Sequence, residues 1–564
     1  MNNDLTAEIK FNNEPINTNE LDNLPFDTNT NTDKTFFGII DIHVKESPIT
    51  TTMQVINIAI DASSSMSESC NDEKEKIDHI KHTVKNILNY ILSKPQIKVL
   101  LNVFIFSSSV TDILINETVT EDNINELKKK IDKIYADGGT NIENALKKFI
   151  ELSKNISPDY VVSNIFMSDG YATEGVTNIK LLGGLVNESV SNTFIGFGIE
   201  HNPKLLSFLS SSITSTYYYV DVLENSGHVY GEILHGILYK KHQNTILTVE
   251  NGLIYNWKTN SWSSSLMIGN LISDTYKQFH IISKSCDEVS CALKFGEEEE
   301  EEVTFRFMNS YNDLSKFYFR QKTLQILFNS HKLNDELDEL DEIDHFNNFK
   351  KYRFDFKEEE EEEREKNRKD KIYDQKKRNE KRIQNIKLLK KQMKELIKNM
   401  EEYKTVHNIF EDKFIKNLCL DIAICYKTIG TDLGNLYSYS RQISQGSQRI
   451  HSVKTPRKNN YNLTPLTSSS SNSNTFFDDD SIFSQLQSPR KNKHYKVESF
   501  DSFDHLLKDY DDHDDDSVDN DYDKIINKYI DDDDDDDNNL DSPYYCSESL
   551  INTILTVSDV TTDN

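Results

Sequence analysis

Asp61 ends the apolar run of VINIAIDASSSMSES (55–69), and Ser63 and Ser65 follow it at alternate positions. Thr140 comes after two glycines in ADGGT, and Asp169 closes the apolar stretch of YVVSNIFMSDG. Together they offer two carboxylates and three hydroxyls, with no thiol or imidazole. Hard oxygen donors of this kind suit Mg2+, with Mn2+ or Ca2+ as alternatives. Each piece has a plainer reading when taken alone. Asp61 and the two serines would cap local turns, and Gly138-Gly139 would be an ordinary turn. Their joint occurrence at the ends of separate strands favours one shared ion. Such an ion would also serve phosphoryl transfer. Yet the chain has no GxxxxGK[ST] loop and no G-x-S-x-G elbow, and no nucleophile stands near Asp61, position 63 being Ser rather than Asp.

The elements that must position these residues are legible from periodicity. From 53 to 241 apolar strands alternate with amphipathic helices, which implies an α/β fold with a doubly wound, mostly parallel sheet covered on both faces. Residues 73–93 show the 3/4 spacing of a helix in Ile77, Ile80, Val84, Ile87, Leu88 and Ile91. In such a sheet, ligands bind beyond the carboxyl ends of the strands, where Asp61 and Asp169 fall.

Around this core the chain divides by composition. Residues 1–34 are rich in Asn, Asp and Thr and are expected to be disordered. The aromatic and β-branched stretch 35–47 reads as a strand, and 244–310 reads as short strands of a small β-sandwich, with Glu297–Glu302 as a solvated hairpin loop. Residues 313–450 read as helical. Within them Ile386, Leu389, Met393, Leu396, Met400 and Tyr403 repeat at alternating three- and four-residue steps, the seam of a coiled coil. The seam has two readings, an intramolecular helical packing or self-association. Residues 452–564 read as a disordered acidic tail that carries two short sites, TPRK at Thr455 and SPRK at Ser488, resembling targets of proline-directed kinases.

The bulk numbers bound the function. A chain of 564 residues needs more than one core. Its net charge is −30, and more than half sits in 501–541, where 19 Asp face 3 Lys. Nucleic-acid binding, which needs clustered Lys and Arg, is not expected. The N-terminus lacks the apolar core of a signal peptide, and no run reaches the ~18 apolar residues of a membrane span. The six cysteines show no CxxC spacing and read as reduced thiols of an intracellular, cytoplasmic protein.

D-x-S-x-S after the first core strand, then G-G-T, then S-D-G at the end of another strand resembles the metal-ion-dependent adhesion site of the von Willebrand factor A domain, over roughly residues 52–241. The resemblance implies that Ser63, Ser65 and Thr140 bind the ion directly and that Asp61 and Asp169 often act through water. It also implies that a partner's Asp or Glu completes the shell. The expectation is therefore a non-enzymatic, metal-dependent protein-binding scaffold. The alternative is an assembly protein acting through its coiled coil and acidic tail. A wider likeness joins the strand at 35–47 to the 244–310 sandwich and sees in YSYSRQISQGSQR (437–449) the end of a helical segment, as in some intracellular A-domain proteins. The RING finger of some plant members is absent from this chain, so no ubiquitin-ligase activity is carried over.

Overall fold

The computed structural model describes residues 4–16, 21–23, 34–47, 52–70, 73–154, 156–157, 159–198, 201–212, 214–220, 226–295, 301–306, 311–351, 361–430 and 432–449, and beyond these Tyr529, Thr553, Thr556 and Val557. The Asp runs of the acidic tail, Thr455 and Ser488 lie outside the described residues.

The chain opens with β1 (Leu5–Asn12) and β2 (Phe36–Val44), paired antiparallel from Leu5 with Val44 to Phe11 with Gly38. The expectation that 1–34 is disordered is thus corrected at β1. Leu5, Ile9 and Phe11 bury themselves between polar neighbours, and pairing with β2 supplies the backbone partners that a lone strand lacks.

A six-stranded sheet follows in the order β5-β4-β3-β6-β7-β8. Its strands are β3 (Gln54–Asp61), β4 (Val99–Phe106), β5 (Val110–Glu117), β6 (Val161–Ser168), β7 (Ser191–Phe197) and β8 (Ser215–Val220). All neighbours pair in parallel except β5, an antiparallel edge strand on β4. Every residue of β3 is buried, as a central strand with both faces covered must be. Ile56, Ile58 and Ile60 face one side, in a core shared with α1 (Lys76–Leu92), α2 (Ile124–Asp132) and α6 (Ser226–Leu238). On the opposite side Phe104 meets Phe149 of α3 (Ile142–Ser153) edge-on. Two short helices, α4 (Ile179–Gly183) and α5 (Pro203–Leu209), precede β7 and β8.

A buried polar ladder crosses that second side. Asn102, Asn57 and Asn164 stand in register on β4, β3 and β6, and Asn164 pairs with Asn192 of β7. Each carboxamide donates to the next at 2.8–2.9 Å, so none of the four amides is buried without a partner.

Next come β9 (Lys240–Glu250), β10 (Leu253–Asn256), β11 (Ser261–Ser263), β12 (Ser265–Ile272), β13 (Thr275–Ser283), β14 (Ser290–Phe295), β15 (Glu301–Arg306) and β16 (Tyr311–Asn312). They build two sheets, β11-β10-β13-β2-β1-β16 and β12-β9-β14-β15, which share a core of Ile9, Ile40, Leu247 and Leu293 among others.

Four helices complete the described part: α7 (Ser315–Lys351), α8 (Glu361–His407), α9 (Lys413–Thr428) and α10 (Asp432–Ser447). The seam residues Ile386, Leu389, Met393, Leu396 and Met400 of α8 are buried within this single chain, where α8 packs on α7 and α9. No helix among the described residues is long and apolar enough to cross a membrane.

Candidate metal centre

β3 and β6 are adjacent parallel strands, so their carboxyl ends bring Asp61 and Ser168-Asp169 to one rim. After Asp61 the chain turns into a short 3-10 segment, Ser64–Ser67, which aims Ser63 and Ser65 back at the strand ends. Asp61 Oδ1 accepts the Ser63 backbone N–H at 2.9 Å, which fixes the turn. The Ser63 and Ser65 hydroxyls lie 3.1 Å apart, and Ser65 Oγ donates to Asp169 Oδ1 at 2.7 Å. Oxygens on adjacent corners of a magnesium octahedron stand about 3 Å apart, since each lies ~2.1 Å from the ion. Both contacts here are hydrogen bonds, so it is the donor chemistry, hydroxyl and carboxylate oxygens gathered at one rim, that fits a small divalent cation.

Thr140 arrives on the loop between α2 and α3. That loop is strapped to the first one: the Asp137 amide donates to Ala62 O at 2.8 Å, and the Ser64 amide donates to Gly138 O at 3.0 Å. Gly138 has φ +88°, a conformation that glycine adopts without strain, and a Cβ there would stand 3.0 Å from Ser108 Oγ. The Thr140 amide donates to Thr173 Oγ1 at 2.8 Å. Thr140 is buried, and its hydroxyl makes no hydrogen bond to the other four residues. The structure thus links Ser63, Ser65 and Asp169 through their side chains, ties in Asp61 through the Ser63 backbone, and holds Thr140 on the neighbouring loop.

Sequence reasoning passed over two residues here. Ser168 donates to Asp61 Oδ2 at 2.6 Å. Its position directly before Asp169 was visible, but an alternating strand would send it to the other side, and only the strand's end explains the contact. Lys76, the first residue of α1, places Nζ 2.7 Å from both Asp169 Oδ2 and Glu68 Oε2. In the sequence it is one lysine in the charged stretch NDEKEK, with nothing to single it out.

The electrostatics follow from burial. Loss of solvent pushes the Asp61 pKa up to about 6; hydrogen bonds from Ser168 and Ser63 oppose the rise, and the Asp169 charge adds to it. Asp61 and Asp169 place two buried carboxyl groups beside the single ammonium of Lys76, a surplus of acidic groups that suits a cation. Among the described residues no group of three or more His, Cys, Asp or Glu is placed to hold a metal. A site here depends on hydroxyl oxygens.

Residues 56–170 match the family model of the von Willebrand factor type A domain. Among solved structures, the chain is similar to a von Willebrand factor type A protein from Catenulispora acidiphila, at 11% identity and TM-score 0.41, covering 60% of this chain and 84% of that one. It is also similar to the ArnB paralog VWA2 from Sulfolobus acidocaldarius, at 12% identity and TM-score 0.41, covering 79% and 99%. Proximal thread matrix protein 1 of the mussel byssus, with a zinc-occupied MIDAS motif, aligns at 18% identity and TM-score 0.26 over 33% of this chain and 44% of its own. No curated protein matches the chain.

Proposed function

Starting from a chain that contains a von Willebrand factor type A domain, we propose that it is a binding module. In this reading it captures an acidic side chain of a partner protein through a divalent cation. Ser63, Ser65 and Thr140 would hold the ion by their hydroxyls, and Asp61 and Asp169 would supply its charge balance. When bound, the ion offers an electrophilic position to an external carboxylate, because neutral hydroxyls donate less charge to it than carboxylates would. Mg2+ is the first choice for so small a set of hard oxygens, with Mn2+ and Ca2+ as alternatives.

The observation that carries this reading is the contact of Ser65 Oγ with Asp169 Oδ1 at 2.7 Å and with Ser63 Oγ at 3.1 Å. It joins hard oxygens from two segments about a hundred residues apart at one rim of the sheet. Burial of the α8 seam inside the chain weighs against assembly through that seam.

The test compares capture of cell proteins on the immobilised full chain in Mg2+ and in EDTA. Ser65→Ala and Thr140→Ala should each remove the Mg2+-dependent fraction and leave the circular-dichroism spectrum unchanged. Capture that is indifferent to chelator in the unaltered chain would sink the proposal.

A further inference from the structure

We propose that Lys76 is a tethered cation that competes with the divalent ion for Asp169, with Glu68 as the place it retreats to when the ion binds. This inference rests on the metal-binding reading above and adds what sets the affinity of that site. The Asp169 side chain has no solvent exposure, and a buried carboxylate needs a counter-charge. In this structure Lys76 supplies it, with Nζ 2.7 Å from Oδ2, while Ser65 serves Oδ1. A divalent ion held by the hydroxyls and balanced in charge by Asp169 would share that carboxylate with the ammonium, and like charges drawn to one carboxylate repel strongly even in a partly wet site.

The ammonium has somewhere to go. It already touches Glu68 Oε2 at 2.7 Å, and the Glu68 side chain is 57% exposed, so it is free to follow the lysine outward. The four-carbon stem of lysine permits that swing. Ile77 and Ile80, both buried, anchor the first turn of α1, so the side chain moves and the helix stays. The arrangement keeps Asp169 neutralised before the ion arrives and lowers the affinity with which it is taken up. Charge neutralisation by one residue and its release onto another thus make metal occupancy responsive to metal concentration rather than permanent.

The test is calorimetric titration of Mg2+ into the full, EDTA-stripped chain. Lys76→Met should bind Mg2+ at least tenfold more tightly than the unaltered protein, Lys76→Arg should stay close to it, and Glu68→Gln should bind several-fold more weakly. Without metal, Lys76→Met should melt earlier than the unaltered protein, and Mg2+ should raise its melting temperature by more. Equal or weaker binding by Lys76→Met overturns the competition and leaves the metal reading intact. Absence of Mg2+ binding in both proteins overturns both. If Lys76→Met does not fold, Glu68→Gln alone decides, and an affinity equal to that of the unaltered chain overturns the proposal.

Discussion

His201 is enclosed where β7 ends, and its two ring nitrogens have fixed roles. The Gly198 carbonyl, 2.6 Å from Nδ1, only accepts, so Nδ1 carries the proton and Nε2 takes the Tyr217 hydroxyl at 2.6 Å. The ring stacks on Tyr219 and is 1% exposed, and this burial pushes its pKa down to about 4. A base with a folded pKa below its unfolded one contributes stability that is present above the unfolded value and is lost as pH falls towards the folded one. Between pH 7 and 5 the loss from His201 is roughly 2 kcal/mol. His235 and His280 are shifted in the same direction by burial. Asp61, whose pKa burial raises, works in the opposite sense over the same window, so the test is a difference: acidification from pH 7 to 5 should lower the melting temperature more in the unaltered chain than in His201→Gln, and an identical change in both proteins would refute this account. The residues that sequence made legible were those whose type and spacing carry the signal, such as Asp61, Ser63 and Ser65. Lys76 was not, because a lysine among charged neighbours looks like solvated surface until the fold places it beside Asp169. The asparagine ladder was half legible: four apolar strands each carry one Asn, but only the parallel register aligns them.

Elements were legible where a regular period met a long apolar run. β3, β4, β6 and β7 stood out for that reason, and α1 by its 3/4 spacing. β5 was not, because an edge strand buries little: among its eight residues only Leu114 is fully buried, and charged or polar positions interrupt it. β1 was hidden by its polar surroundings and is stabilised by a register with β2 that local sequence does not encode. The α8 seam was legible as a pattern but not as a partner choice, since the same spacing serves one chain or two. Its burial inside the chain gives a quantitative expectation. Met393 has no exposure, whereas Leu388 on the same helix is 56% exposed. Met393→Ala should cost about 2–5 kcal/mol as a buried methionine is truncated, and Leu388→Ala should stay within ~0.5 kcal/mol. Urea unfolding of both variants checks this, and equal losses would mean that the seam is not packed as described.

At the scale of the whole molecule, the stretch 437–449 holds the A domain, the sandwich and the helices together. Tyr437 and Tyr439 of α10 meet Tyr219 and Tyr217 of β8 edge-on. Gln442 donates to the Trp257 carbonyl at 2.6 Å. Gln448 accepts from the Gln278 amide and donates to its carbonyl, both at 3.0 Å, which grips β13 with both ends of one carboxamide. Those two bonds help hold Gln448 in a left-handed conformation, φ 54°, where helices more often end in glycine. Arg449 then donates to Thr216 Oγ1 at 2.7 Å and lies 3.4 Å over the Tyr218 ring. The tightest point is Gly446, where an added Cβ would stand 2.2 Å from Cδ2 of the Trp257 indole. The main-chain carbonyl of Trp257 is bonded to Gln442 on the preceding turn of α10, which keeps the backbone that carries the indole close to the helix. Gly446→Val should therefore prise α10 off the sandwich while leaving each core intact. Small-angle scattering should then show a larger radius of gyration, and heating should resolve more than one transition where the unaltered chain unfolds more cooperatively. A variant that keeps both the scattering curve and the melting profile of the unaltered chain would show that the indole yields and that the junction is held elsewhere. The same experiment separates junction from site: Mg2+ affinity should be unchanged in Gly446→Val, because Asp61, Ser65 and Asp169 are positioned by β3 and β6 within the A domain and not by α10.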